Sequence, residues 1–222
     1  MSNLTESDSQ ASTILANLQA RWGEYGAPAP EVESTPETIS PFATAFELQA
    51  HLVAGDAVAA LDLIRLQWGF MLDDPRMTNS TFIEGYSADG SLVYAPYTND
   101  PRVSHAHGWS SGPTSLLSRY VAGIQLTAGG GSEWKIAPEV GDLTSVDAGM
   151  STTLGEFSVT LGADGDGAIT SFSFETPEGT TGDVVLPSGT EGSLTSSAGE
   201  TVDLVDGTAT CVSGGSWTYS AE

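Results

Sequence analysis

The sequence predicts an α+β chain of two domains, helical hairpins over residues 1–128 followed by an antiparallel β-sandwich over residues 129–222. Apolar residues of the first part recur three and four positions apart, as on one face of a helix. Those of the second part alternate with polar residues in short runs broken by turn residues. Gly129-Gly130-Gly131 stands where one pattern gives way to the other.

The helices follow in order. Ile14, Leu15, Leu18 and Trp22 share a face, and Gly26 and Pro28 stop that helix. Ser40-Pro41 reads as a cap followed by an N1 proline, opening a helix whose inward face is Phe42, Phe46, Gln49 and Leu52 or Val53. Gly55-Asp56 opens a third, with Val58, Leu61, Ile64, Leu66 and Trp68 toward a core, and Asp73-Asp74-Pro75 ends it. A fourth starts at Ser111-Gly112-Pro113 and carries Leu116, Leu117, Tyr120, Val121 and Ile124. The second and third are joined by only a few residues, as in antiparallel hairpins. Strands are expected over 134–137, 154–161, 168–174, 183–186, 201–204 and 209–219. Phe157, Val159 and Leu161 point one way, with Gly-Asp-Gly or Pro-Glu-Gly turns between strands.

Charge narrows the partners. Twenty-nine acidic residues face six basic ones, a net charge of −23, and Lys135 is the only lysine. No basic patch exists to release counterions from phosphates, which argues against nucleic acid and anionic membranes as partners. A self-repelling acidic surface suits a secreted protein acting on neutral material, or a salt-adapted organism. The residues from Met1 to Gln10 are polar and acidic, unlike a secretory leader, so an extracellular location is expected of a longer parent. The single cysteine, Cys211, excludes an internal disulfide framework and a cysteine-based zinc site. Asn3-Leu4-Thr5 and Asn79-Ser80-Thr81 fit the glycosylation acceptor pattern.

Between Asp73 and Ser111 the chain is irregular and dense in Tyr, Trp, His, Asp, Arg and Pro. Long irregular segments inside compact domains tend to carry function. Glu84 lies among Thr81, Phe82, Ile83, Gly85 and Tyr86, either as a desolvated base able to take a proton from water or as a loop glutamate or cap. His105 and His107, at i and i+2, face opposite sides of an extended loop and are badly placed to share a metal. They suit a sugar site better. Trp109, Tyr86, Tyr94 and Tyr97 offer flat apolar faces, and histidine, Asp100 and Arg102 offer hydrogen bonds. The competing reading packs Trp109 at the helix entrance and ties His107 to a buried carbonyl. Asp164-Gly165-Asp166-Gly167 lacks the ligand and glycine that a calcium loop needs at its fifth and sixth positions, and is read as a hairpin turn. Ser110 and Ser111 are read as helix caps, because no strand-elbow precedes them.

Gln67-Trp68-Gly69, Asp74-Pro75, the stretch from Thr78 to Gly85, Asp89-Gly90-Ser91-Leu92, Trp134-Lys135-Ile136-Ala137-Pro138 and above all HAHGWSSGPTSLL from His105 to Leu117 resemble the fungal-type α-L-rhamnosidase family of glycoside hydrolases. The resemblance spans about residues 10–145. It implies the last hairpins of an (α/α)6 barrel before a C-terminal β-sandwich, and inverting hydrolysis of terminal α-linked L-rhamnose without a cofactor. It places Glu84 as the general base and His107 on the sugar, with Trp109 and His105 in or beside the pocket, and Arg102 joins this sugar-binding set for its hydrogen-bonding group alone. About four helices stand where the family has twelve. A C-terminal fragment that lacks the general acid is therefore expected, and the upstream part of the same enzyme is its expected partner. The rival expectation is a non-catalytic carbohydrate-binding or scaffold fragment.

Overall fold

The structure, a computed structural model, describes residues 7–30, 36–97, 102–165 and 167–221. Asp100, Asp166 and the Asn3 acceptor lie outside the described residues. The chain divides into two compact units, Met1–Leu116 and Leu117–Glu222. The glycine run 129–131 falls inside the second unit, whose first residues form a π turn, Leu117–Val121. That turn is tied forward, as Ala122 N–H donates to the Leu117 carbonyl and Glu139 N–H to that of Tyr120.

The first unit contains α1 (Asp8–Gln19), β1 (Thr38–Ile39), α2 (Pro41–Val53), α3 (Ala57–Leu63), α4 (Gly69–Asp73), β2 (Tyr86–Ser87) and α5 (Gly112–Leu116). Helix starts match the capping residues. Ser7 and Asp56 accept hydrogen bonds from Gln10 N and Ala59 N, and Pro41 opens α2 where a missing N–H costs nothing. The face of α2 differs from expectation. Phe42 and Phe46 are 43% and 60% exposed, while Thr44, Leu48, His51 and Leu52 are buried. A Phe pair at i, i+4 is apolar enough to mimic a core stripe, but the rings pack edge-on against each other instead. Val58 is likewise exposed, and the core side of α3 is Ala57, Ala60, Leu61 and Leu63.

Between α3 and α4 the helix widens into a π turn, Ile64–Trp68, which turns the consecutive side chains of Gln67 and Trp68 both inward. Gln67 Oε1 accepts from Ala27 N at 3.1 Å, and the Gln67 amide and Thr44 hydroxyl bond each other. Trp68 Nε1 donates to the Ser110 carbonyl at 2.7 Å. These buried hydrogen bonds join helices to loops and leave the intervening backbone satisfied.

The second unit is one eight-stranded sheet: β3 (Ile124–Leu126), β4 (Glu133–Ile136), β5 (Ser145–Thr152), β6 (Gly155–Ala163), β7 (Ile169–Val185), β8 (Ser193–Ser196), β9 (Thr201–Asp203) and β10 (Thr208–Ser220). The order runs β3-β4-β7-β10-β8-β9, and β5 joins through β6 to β7. The expectation of wholly antiparallel pairing is corrected, because β4 runs parallel to β7. Hydrogen bonds join all eight strands in one sheet. The runs expected at 168–174 and 183–186 are the two ends of one strand, β7, whose pairing with β10 shifts register between Ser213 and Gly215. Such irregularities let a long strand bend and serve two parts of a sheet. Phe157, Val159 and Leu161 face inward as expected, joining Trp134, Phe172, Phe174, Val184, Val212 and Trp217 in one core.

Two details fix that core. Trp134 Nε1 donates to Thr180 Oγ1 at 2.9 Å, so its polar atom is satisfied in the interior. Gly182 lies against the same ring, and a Cβ there would come within 2.2 Å of it. The turn from Asp164 to Ala168 is the expected hairpin, with Asp164 Oδ1 accepting from Ala168 N at 2.9 Å. Strand β5, half-exposed and rich in Ser, Gly and Asp, carries too weak an apolar alternation for sequence to find it.

Candidate active site

The irregular segment of the first unit is organised by pairing between two extended stretches. Glu84 N donates to Ser104 O at 2.8 Å and His107 N to Phe82 O at 2.9 Å. Thr81 Oγ1 donates to His105 O at 2.6 Å and Ser110 Oγ to Ile83 O at 2.8 Å. Just beyond, β2 pairs with β1, Ile39 opposite Tyr86. The glutamate segment is therefore held at both ends by backbone, which fixes where the carboxylate points.

Glu84 is only 4% exposed. Oε1 accepts a hydrogen bond from the Tyr97 phenol, and Oε2 lies 3.4 Å from Ser104 N and 3.8 Å from His107 Nδ1. The Tyr97 hydroxyl is raised above the ordinary tyrosine value, first because its ionisation would break the bond to Glu84, with desolvation and the Glu84 charge adding to the shift. The exposed Arg102 pulls the other way through its charge. The His107 ring lies 4.5 Å from the Trp109 ring, which stacks at 5.0 Å on Phe42. Trp109 is 43% exposed. A buried carboxylate, an imidazole and an accessible indole thus share one corner of the unit.

The structure brings some of the expected residues together and sets others apart. Glu84, His107 and Trp109 come together. His105 is half-buried and contributes its carbonyl. Tyr86 and Tyr94 do not offer faces to a ligand: both are buried, and Tyr86 donates to the Tyr25 carbonyl at 2.6 Å. Burial pushes the Tyr86 phenol far above its ordinary value. Ser110 is a core hydroxyl rather than a helix cap, whereas Ser111 Oγ donates to Gly108 O. The Tyr97 bond to the carboxylate and the Phe42 stack on Trp109 went unread. Neither pair shares a helical or strand period, so no spacing signals them. At Asn79 the acceptor pattern coincides with a left-handed corner, where Asn79 Nδ2 donates to the Leu72 carbonyl at 2.6 Å.

Residues 123–209 match the bacterial α-L-rhamnosidase C-terminal domain. No curated protein sequence matches the chain. Among solved structures, the Streptomyces avermitilis α-L-rhamnosidase in complex with L-rhamnose superposes with a TM-score of 0.62 at 20% identity, over 81% of this chain and 17% of that one. The native α-L-rhamnosidase of Aspergillus terreus gives 0.62 at 20% identity, over 94% and 22%. A family 78 rhamnosidase of Bacillus sp. GL1 gives 0.56 at 28% identity, over 67% and 15%. The equal scores do not single out the fungal type that the motifs resemble. This chain spans about a fifth of the length of these structures. Residues 123–209 thus match the C-terminal domain of bacterial α-L-rhamnosidases, and the chain shares the fold of part of these solved enzymes.

Proposed function

We propose that the chain carries the general-base half of an inverting α-L-rhamnoside hydrolase. The observation that supports this most is the buried Glu84 carboxylate, held by Tyr97 beside His107 and the accessible Trp109. An inverting glycosidase places two carboxyl groups about 6.5–9.5 Å apart, on opposite faces of the sugar ring. In this reading Glu84 takes a proton from water as its oxygen bonds to the anomeric carbon. A carboxylic acid opposite gives its proton to the departing glycosidic oxygen, and an α-linked rhamnoside is released as β-L-rhamnose. His107 hydrogen-bonds the sugar and Trp109 packs against its C–H face, with His105 and Arg102 further out. No cofactor takes part.

The acid belongs, in this proposal, to the rest of such an enzyme, whose earlier hairpins would complete an (α/α)6 barrel with α2 to α5. Its substrate is a rhamnose-containing glycoside or polysaccharide met outside the cell, and the low count of basic residues argues against nucleic acid or membrane as a partner.

The test uses a polypeptide that also supplies the acid. Glu84→Gln keeps the shape and removes the base, so hydrolysis of 4-nitrophenyl α-L-rhamnoside falls about 10²–10⁴-fold with KM little changed. Azide restores reaction in Glu84→Gly and yields the β-rhamnosyl azide. An α-azide would mean two displacements through a second, nucleophilic carboxylate with Glu84 only its acid/base, and near-normal turnover of Glu84→Gln would remove Glu84 from the chemistry. Rhamnose binding with no hydrolysis in any form would leave a carbohydrate-binding fragment.

A further inference from the structure

We propose that Tyr97 is a positioning residue for Glu84, committing Oε1 through its phenol hydrogen bond and leaving Oε2, on the His107 side, as the oxygen that receives the proton. The assignment of Oε2 rests on the base reading above, whereas the positioning itself does not.

The two carboxylate oxygens are unequal. Oε1 accepts the Tyr97 O–H, and hydrogen bonds to charged acceptors are about twice as strong as neutral ones. Among the described residues Oε2 accepts only a long hydrogen bond, from Ser104 N–H at 3.4 Å, and lies 3.8 Å from His107 Nδ1. A carboxylate held more tightly on one oxygen than on the other is fixed in rotation and presents the looser oxygen in one direction. Misplacement of a catalytic group by about 1 Å can cost about 10²-fold in rate.

Tyr97 is itself placed by a short chain of contacts. Its N–H donates to the Tyr94 carbonyl at 2.9 Å, and its ring meets that of Tyr94 edge-on at 5.6 Å. Tyr94 is buried directly over Gly85, where a Cβ would approach its Cε2 to 2.2 Å. Gly85 therefore admits the ring that carries Tyr97, and Tyr97 reaches back to the residue preceding that glycine. The loop closes on the carboxylate it orients. Ser87 Oγ anchors the same loop through the Val93 carbonyl at 2.8 Å.

Tyr97→Phe removes the donor and keeps the ring. In the full chain, with ¹³C at tyrosine Cζ and glutamate Cγ, Tyr97 of the unaltered protein titrates above ordinary tyrosines, and Glu84→Gln returns it toward them. In Tyr97→Phe the Glu84 Cγ order parameter falls while amide signals away from the loop stay in place. An unmoved Tyr97 titration in Glu84→Gln, or an unchanged Glu84 order parameter in Tyr97→Phe, overturns the proposal. In the enzyme supplied with its acid, Tyr97→Phe lowers kcat about tenfold to a hundredfold with KM within about twofold. Unchanged kcat there, where Glu84→Gln abolishes turnover, also overturns it. Gly85→Ala, which displaces Tyr94, gives the same loss of Glu84 order with the phenol still present. If Glu84→Gln retains turnover, the base reading fails and the two NMR readouts still decide the positioning.

Discussion

The helical unit and the sheet unit bury different things. Among the described residues, eight of the ten buried polar or charged residues lie in the first unit, including His51, Gln67, Glu84 and Ser110, and only Thr176 and Thr180 in the second. The exposed large apolar residues divide the same way, with Ile14, Phe42, Phe46, Val53, Val58, Leu72, Val93 and Trp109 in the first unit and three in the second. The sheet unit places Trp134, Phe157, Phe172 and Trp217 wholly inside. The helical unit keeps aromatic surface outside and polar groups within.

The comparison predicts two unfolding transitions, and substitutions in each unit should move its own. Trp134→Ala opens a cavity in the sheet core and removes the indole donor to Thr180 Oγ1, which keeps its bond to the Pro177 carbonyl, so the sheet transition loses about 3–5 kcal/mol in calorimetry while the helical one holds its temperature. A joint shift of both would mean a single cooperative body and break the contrast. Gln67→Leu keeps the volume but leaves Ala27 N–H without its acceptor, at about 1–3 kcal/mol. The helical transition should fall by that amount, and the Ala27 amide should exchange with solvent markedly faster.

The smallest effect is at Glu139 in the sheet unit. Burial raises this carboxyl above its ordinary value of 4.5 against the opposing pull of Lys135, and Oε2 is without a hydrogen-bond partner. The fold favours the protonated form. Its contribution is therefore full below about pH 4.5 and is lost as pH rises through the raised value. Glu139→Gln should stabilise the unit at pH 7 by less than about 1 kcal/mol, given its partial exposure, and flatten the urea midpoint against pH just above 4.5. A mutant curve parallel to that of the unaltered protein would count against this.

Local features were legible because they are written in adjacent residues. Asp56 opens a helix and Asp164 closes a hairpin, each through a side-chain bond spanning a few positions, while Pro41 opens α2 with no side-chain cap bond from Ser40. Phe157, Val159 and Leu161 announce their face by alternation. What stayed hidden depends on residues distant in sequence. The wrong face of α2 arose because the Phe42–Phe46 pair has the right period and the wrong partner, a Trp from another segment. The parallel pairing of β4 with β7 joins segments that no turn connects. Of the candidate site, the resemblance marked Glu84 and the segment bearing His107, but the Tyr97 contact has no local signature. A loop tyrosine thirteen positions from a glutamate looks the same whether or not it donates to it.

The parallel register of β4 also sets a timetable. The β5–β6 and β6–β7 pairs are hairpins between neighbours in sequence, so they form after closing only short loops. Trp134 must instead find Thr180, 46 positions onward, and its ring slot over Gly182 exists only once β7 has bent into place. Non-local pairing of this kind is slow. Strand β4, and β3 with it, therefore docks last, and until then a tryptophan-sized opening stays exposed beside the longest strand of the sheet, the interval in which a newly made chain is most open to association with its neighbours.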